Sequence, residues 1–224
     1  MAPVDAVIVT GAAGALGHAV VAEFRSLGRE VVALDRPGER LDTLGRQEGV
    51  HAVAADLSSR AAVQDAFTRI TVGCDALVGL AGGFTPGALA DVDEETLDSL
   101  WRSNFGSALW TAQAAVPLFR SGGAIVTVGS KTAVGGPAPV AHATSKAAVV
   151  RLTQLLAEEL RPQRIRVNAV LPSVIDTPAN RSWMSDDLTA RAVSPAAIAK
   201  VITFLCGPDA APISGAAIPV YGDA

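Results

Sequence analysis

The segment AVIVTGAAGALGHAVVAEFRSLG near the amino terminus restricts the possible folds more than any other. Ala6–Thr10 is a short apolar, β-branched run that passes directly into a glycine-rich turn, and the turn passes directly into a pattern of helical period. Gly11, Gly14 and Gly17 let the backbone turn tightly and approach a bound group closely. A helix amino terminus adds unpaired N–H groups and the positive end of a dipole. Strand, glycine turn and helix start, in that order, make a cradle for a pyrophosphate, and such a unit belongs to a parallel sheet wound with helices.

The rest of the chain repeats this alternation. Candidate strands fall at Ala6–Thr10, Glu30–Leu34, His51–Ala54, Ala76–Leu80, Ala124–Val128, Arg164–Val170 and Ala217–Val220. Helical patterns begin near Gly17, Ser59, Asp93, His142 and Pro195; Asp93 is followed by Glu94 and Glu95, and Ser194 precedes Pro195 at a first turn. The expectation is one α/β domain over residues 1–224, a Rossmann-type doubly wound sheet of seven parallel strands, with a short lid over a substrate site near 178–194. The ligand crevice of such a sheet lies at the carboxyl ends of its strands. Asp35 ends the second expected strand, about twenty residues past the glycines, where a carboxylate accepts hydrogen bonds from an adenosine ribose. That favours NAD as cofactor. Arg36 beside it could neutralise a 2′-phosphate, so NADP stays open, as does a solvated Asp–Arg pair in a loop.

Composition removes several other functions. A net charge of −4 disfavours nucleic acid as a partner, which needs a basic stripe. No apolar run is long and unbroken enough for a membrane span, and the start MAPVDAVIVT lacks the basic and apolar regions of a signal peptide. Cys74 and Cys206 fall in no metal or redox spacing and suit reduced core thiols in a cytoplasmic protein; no metal site is expected.

With the glycine turn placed, the chain resembles the short-chain dehydrogenase/reductase superfamily over nearly its whole length. The resemblance rests on TGAAGALG, ADL at Ala55–Leu57, LAGG at Leu80–Gly83, Asn104 in WRSNFGSA, VTVGS ending at Ser130, SKAAV at Ser145–Val149 and RVNAVLPSVIDTP at Arg166–Pro178. VGSKTAV and LPSVIDTPANR are similar to the dihydropteridine reductase branch. Departures are Ala15 for the usual second glycine, Leu80 for an asparagine and Ser173 for a glycine. The resemblance implies cofactor contacts from Gly11, Gly14, Leu16, Gly17, Asp35, Arg36, Asp56, Leu57, Ala81, Gly82, Lys146, Pro172 and Thr177. Within that set Asp56 and Leu57 would flank the adenine, Lys146 would hold the nicotinamide ribose and Thr177 would lie near the carboxamide. Asp56 could instead cap a following helix, and Thr177 a turn before Pro178.

The resemblance further implies catalysis by Asn104, Ser130 and a Y-x-x-x-K pair, in which tyrosine carries the proton and lysine lowers its pKa. Here the segment reads HATSK. His142 stands four residues before Lys146, on the same helix face, and the only tyrosine, Tyr221, lies in the last expected strand. An imidazole is a competent acid or base near neutral pH, but it reaches less far than a phenol, and a neighbouring ammonium lowers its pKa. Ser130 precedes His142 by twelve residues, about one fewer than is usual in the family. Lys131 is expected to be a surface charge, and His18 and His51 structural. Trp183 and Met184 are the apolar residues of the short lid and could cover a bound ring. The leading expectation is an NAD(P)-dependent oxidoreductase acting on a small-molecule carbonyl/alcohol pair; a non-redox isomerase, cyclase or lyase using His142, or a nucleotide-binding regulator, stays open. A homodimer or homotetramer is expected through Leu97, Leu100, Trp110, Val149, Leu152 and Leu156, unless these only pack on their own sheet.

Overall fold

The computed structural model describes residues 5–223. Seven strands, β1 (Ala6–Thr10), β2 (Val31–Asp35), β3 (Val50–Ala54), β4 (Cys74–Gly79), β5 (Phe119–Val128), β6 (Ile165–Pro172) and β7 (Ala217–Val220), pair in parallel in the order β3-β2-β1-β4-β5-β6-β7. The chain winds outward from β1 to β3, then crosses back to β4. The winding therefore reverses between β1 and β4, beside the glycine turn, and a crevice opens at that point.

Burial on both faces explains why the central strands β1 and β2 read as unbroken apolar runs. Val7 and Val9 of β1 point into a core with Val20, Val21 and Phe24 from helix α1 (Ala15–Ser26) and with Ile198, Ile202 and Leu205 from the last helix. Ala6 and Ile8 point the other way, into a core with Val63, Phe67, Ala112 and Ala157. Each of the Val, Ile, Leu and Phe side chains contributes about 1.5–3 kcal/mol on leaving water. Both cysteines are free, and burial pushes each thiol up to about 12, as suits inert packing residues.

The remaining helices are α2 (Glu39–Gly45), α3 (Arg60–Thr68), α4 (Glu94–Leu100), α5 (Ser107–Ala115), α6 (Val140–Glu159), α7 (Pro178–Arg181), α8 (Asp186–Arg191) and α9 (Pro195–Cys206). Ser59, Asp93 and Ser194 cap α3, α4 and α9, each accepting a backbone N–H three residues on. Several expected bounds shift: β4 starts two residues before Ala76, β5 starts five before Ala124 and β6 ends two after Val170. α1 starts two residues before Gly17 and α6 two before His142. The pattern from Asp93 is not one uniform helix: Trp101–Gly106, between α4 and α5, is wound as a π-helix. α2 and the two short helices of the 178–194 segment carry too few turns to show a period.

Candidate active site

The glycine turn fits a pyrophosphate for steric reasons that can be stated atom by atom. Gly11 has φ +68, and a Cβ there would lie 2.7 Å from the Ala81 nitrogen, so the turns after β1 and β4 pass each other almost in contact. A Cβ on Gly17 would lie 2.2 Å from the Gly11 carbonyl oxygen. The start of α1 has Gly14 as its cap residue, with no side-chain cap and no acidic residue in the first turn. Its N–H groups and dipole are thus left to an outside anion.

One cavity of about 1260 Å³ runs from this turn across the ends of β1, β2 and β4 and is lined by Gly11, Gly14, Asp35, Arg36, Arg40, Asp56, Leu57, Ala81 and Gly82. Asp35 is the last residue of β2; its carboxylate accepts the Ala13 N–H at 2.9 Å and the Arg36 N–H at 2.7 Å, which fixes it at the cavity edge. Asp56 accepts the Ser58 N–H at 3.0 Å and the Ser58 hydroxyl at 2.7 Å. These bonds, aided by Arg36, hold its carboxyl below the usual carboxylate range. The cap of α3 is Ser59, so Asp56 is not capping that helix.

A second cavity of about 950 Å³ shares Gly11, Gly14 and Gly82 with the first and continues over β5 and β6, where it is lined by Leu16, Gly17, Ser130, His142, Lys146, Pro172 and Thr177. Lys146 is buried, and its ammonium donates to the Val128 carbonyl at 2.9 Å. Burial pushes it down to about 8. His142, one turn earlier on α6, is also buried; its Nδ1 has no hydrogen-bond partner among the described residues. Burial first and the Lys146 charge second lower its pKa, against a smaller opposing effect of the Gly83 backbone. The Phe84 ring meets the imidazole edge-on, with centroids 4.9 Å apart. Ser130 ends the β5 turn, its hydroxyl 2.8 Å from that of Thr132. Thr177 both lines the cavity and caps α7, accepting the Asn180 N–H at 3.1 Å.

Asn104 behaves differently from the other three expected catalytic residues. It lies behind the cavity wall, within the π-helical segment, where its amide accepts the Gly83 N–H at 2.9 Å and donates to the Gly83 carbonyl at 3.2 Å and the Ser145 hydroxyl at 3.0 Å. Ser145 in turn donates to the His142 carbonyl at 2.9 Å. Asn104 thus clamps the turn after β4 onto α6.

Several other residues lie elsewhere than expected. Lys131 is an exposed charge, as expected, but it also lines the second cavity, with its ammonium 5.1 Å from the centre of the Tyr221 ring. Tyr221 itself follows β7 and lines neither cavity. His18 lines the second cavity, whereas His51 pairs with Glu30 at 3.0 Å on the outside. In the 178–194 segment the cavity is lined by Pro178, Ala179, Asn180, Trp183 and Leu188, not by Met184. Sequence reasoning passed over Phe84 and Arg40, which carry no motif; position alone, just past LAGG and just past the end of the second strand, could have marked them. Of the apolar residues expected at a subunit interface, Leu100, Val149 and Leu152 are buried within the chain, whereas Leu97 stays exposed together with Trp101 and Leu155.

Comparison with known proteins agrees with this geometry. A family model described as enoyl-(acyl carrier protein) reductase matches residues 11–222. The 3-oxoacyl-[acyl-carrier-protein] reductase of Thermotoga maritima is 30% identical, over 96% of this chain and 95% of that one. The chain belongs to the short-chain dehydrogenase/reductase family. It is an enzyme of that type. Mouse L-xylulose reductase is 33% identical over 83% of this chain and 78% of its own. A short-chain dehydrogenase/reductase of Serratia marcescens superposes with a TM-score of 0.90 at 28% identity, covering 98% of this chain and 97% of the other. A blue fluorescent protein from a metagenomic library, solved in complex with NADPH, superposes with a TM-score of 0.88 at 26% identity, covering 98% and 97%. Among the described residues no helix is long and apolar enough to cross a membrane.

Proposed function

We propose that this enzyme is an NAD(P)-dependent oxidoreductase that interconverts a small carbonyl compound and its alcohol, with His142 moving the proton that a tyrosine moves elsewhere in the family. The observation that carries the proposal is the continuity of the two cavities: Ser130, His142 and Lys146 line a space that opens without a break onto the Gly11–Gly17 turn. When bound, the dinucleotide supplies or accepts the hydride. The start of α1 binds its pyrophosphate, and Asp35 takes the adenosine ribose, which favours NAD; Arg36 and Arg40 on the same wall leave room for NADP. The Ser130 hydroxyl orients the substrate oxygen. The buried Lys146 holds the nicotinamide ribose hydroxyls, and His142 gives its proton to the carbonyl oxygen in reduction and takes it back in oxidation. Leu97, Trp101 and Leu155 offer an apolar face for a second copy of the chain.

Two substitutions test this. His142→Ala should lower turnover by roughly 100- to 10,000-fold, the worth of a general acid, with nucleotide affinity retained. His142→Tyr should support carbonyl reduction, since Lys146 is placed to acidify a phenol. An alanine variant with unchanged turnover and an unchanged pH profile would remove His142 from the chemistry.

A further inference from the structure

The second cavity has more structure than proton transfer requires. Phe84 and Trp183 line it and are 59% and 58% exposed, large apolar surfaces left in water at the mouth of a catalytic site. They arrive from different sides. Phe84 follows β4 and Trp183 follows β6, and the strand order puts these two on either side of β5, whose end carries Ser130. Phe84 is held where it is by its edge-on contact with His142. Val174, Ile175 and Leu188 extend the apolar wall, and no acidic side chain among the described residues lines this cavity.

From this arrangement we infer that the carbonyl of the substrate is borne on a flat aromatic ring, which Phe84 and Trp183 enclose while the carbonyl oxygen points to Ser130 and His142. A short aliphatic ketone would leave both aromatic faces wet. A ring covers them and gains the face and edge contacts that aromatic pairs favour. The inference relies on the oxidoreductase reading only for the carbonyl; the ring follows from the walls.

The test needs no turnover. With the enzyme saturated by NAD⁺, acetophenone and 2-octanone, which have equal carbon counts, are dead-end ketones whose binding is read by calorimetry and saturation-transfer NMR. Acetophenone should bind roughly tenfold more tightly. Trp183→Ala should abolish that advantage, Trp183→Phe should keep most of it, and both should leave NAD⁺ affinity unchanged; Trp183 is exposed, so neither change threatens the fold. Equal or tighter binding of 2-octanone overturns the inference, as does a Trp183→Ala variant that loses NAD⁺ instead, since the indole would then be covering the nicotinamide. If ring ligands bind as expected but no ketone is ever turned over with NADH or NADPH, the ring site stands and the oxidoreductase reading falls. If ketones are turned over with no preference for rings, the reverse holds.

Discussion

Replacing Gly82 with alanine is the sharpest test of how the catalytic wall is built. The added methyl would lie 2.5 Å from the Asn104 amide oxygen and 3.2 Å from the Lys146 nitrogen, whereas real Cβ contacts essentially never fall under 3.0 Å. Asn104 would have to retreat by at least about half an ångström. It has nowhere to go. It is 1% exposed and holds both polar groups of Gly83 and the Ser145 hydroxyl. Overpacking of this kind costs about 1–3 kcal/mol, and a weakened buried hydrogen bond about 1 kcal/mol more. A total of about 2–4 kcal/mol lowers the melting temperature by roughly 5–15 °C in a chain of this size. Because Asn104 reaches His142 through Ser145, a displacement approaching 1 Å at the imidazole should also cut turnover by ~100-fold. Differential scanning fluorimetry and steady-state kinetics measure the two losses. The double variant Gly82→Ala/Asn104→Ala should lose less stability than the sum of its singles, because the clash disappears with the amide. A Gly82→Ala protein with unchanged melting temperature and unchanged turnover would refute the proposed clamp.

Burial and the Lys146 charge hold the His142 pKa below that of a free imidazole, so carbonyl reduction should fall as pH rises through that ionisation and alcohol oxidation should rise, which rate profiles in both directions check. NAD(H) should bind more tightly than NADP(H), and Asp35→Ser should narrow or reverse the difference by removing the charge that opposes a 2′-phosphate; calorimetry with both nucleotides decides, and tighter NADP(H) binding to the unaltered enzyme would assign the site to Arg36 and Arg40. Light scattering at micromolar concentration should give a dimer or tetramer that Trp101→Lys and Leu155→Lys weaken, while a monomer before substitution would leave that apolar face unpartnered.

The central strands were legible because a parallel sheet covered on both faces is apolar at nearly every position, as in AVIVT of β1 and VVAL of β2. Gly11 and Gly17 were legible for a related reason: each sits where any Cβ would strike backbone. What the sequence hid was set by tertiary contact. Arg40 sits in a helix too short to show a period and Phe84 in an irregular loop, and they matter only because β2 and β4 end beside the glycine turn. The part played by Asn104 was half visible. Its position marked it as a site residue, but the clamp on Gly83 depends on a 21-residue loop closing. Leu100, Val149 and Leu152 were read as interface because a helical stripe does not say which of two neighbours it faces.

The winding of Trp101–Gly106 makes the count of residues in this helix as informative as their identity. A π-helical turn holds one residue more than an α-helical turn, and each residue advances the helix by about 100°. Deleting a single residue from this stretch would let α4 and α5 run on as ordinary helix and would swing Asn104 away from Gly83, shifting with it Arg102 and Ser103, which line the first cavity. At this place the enzyme is therefore more vulnerable to a change of length than to most changes of letter.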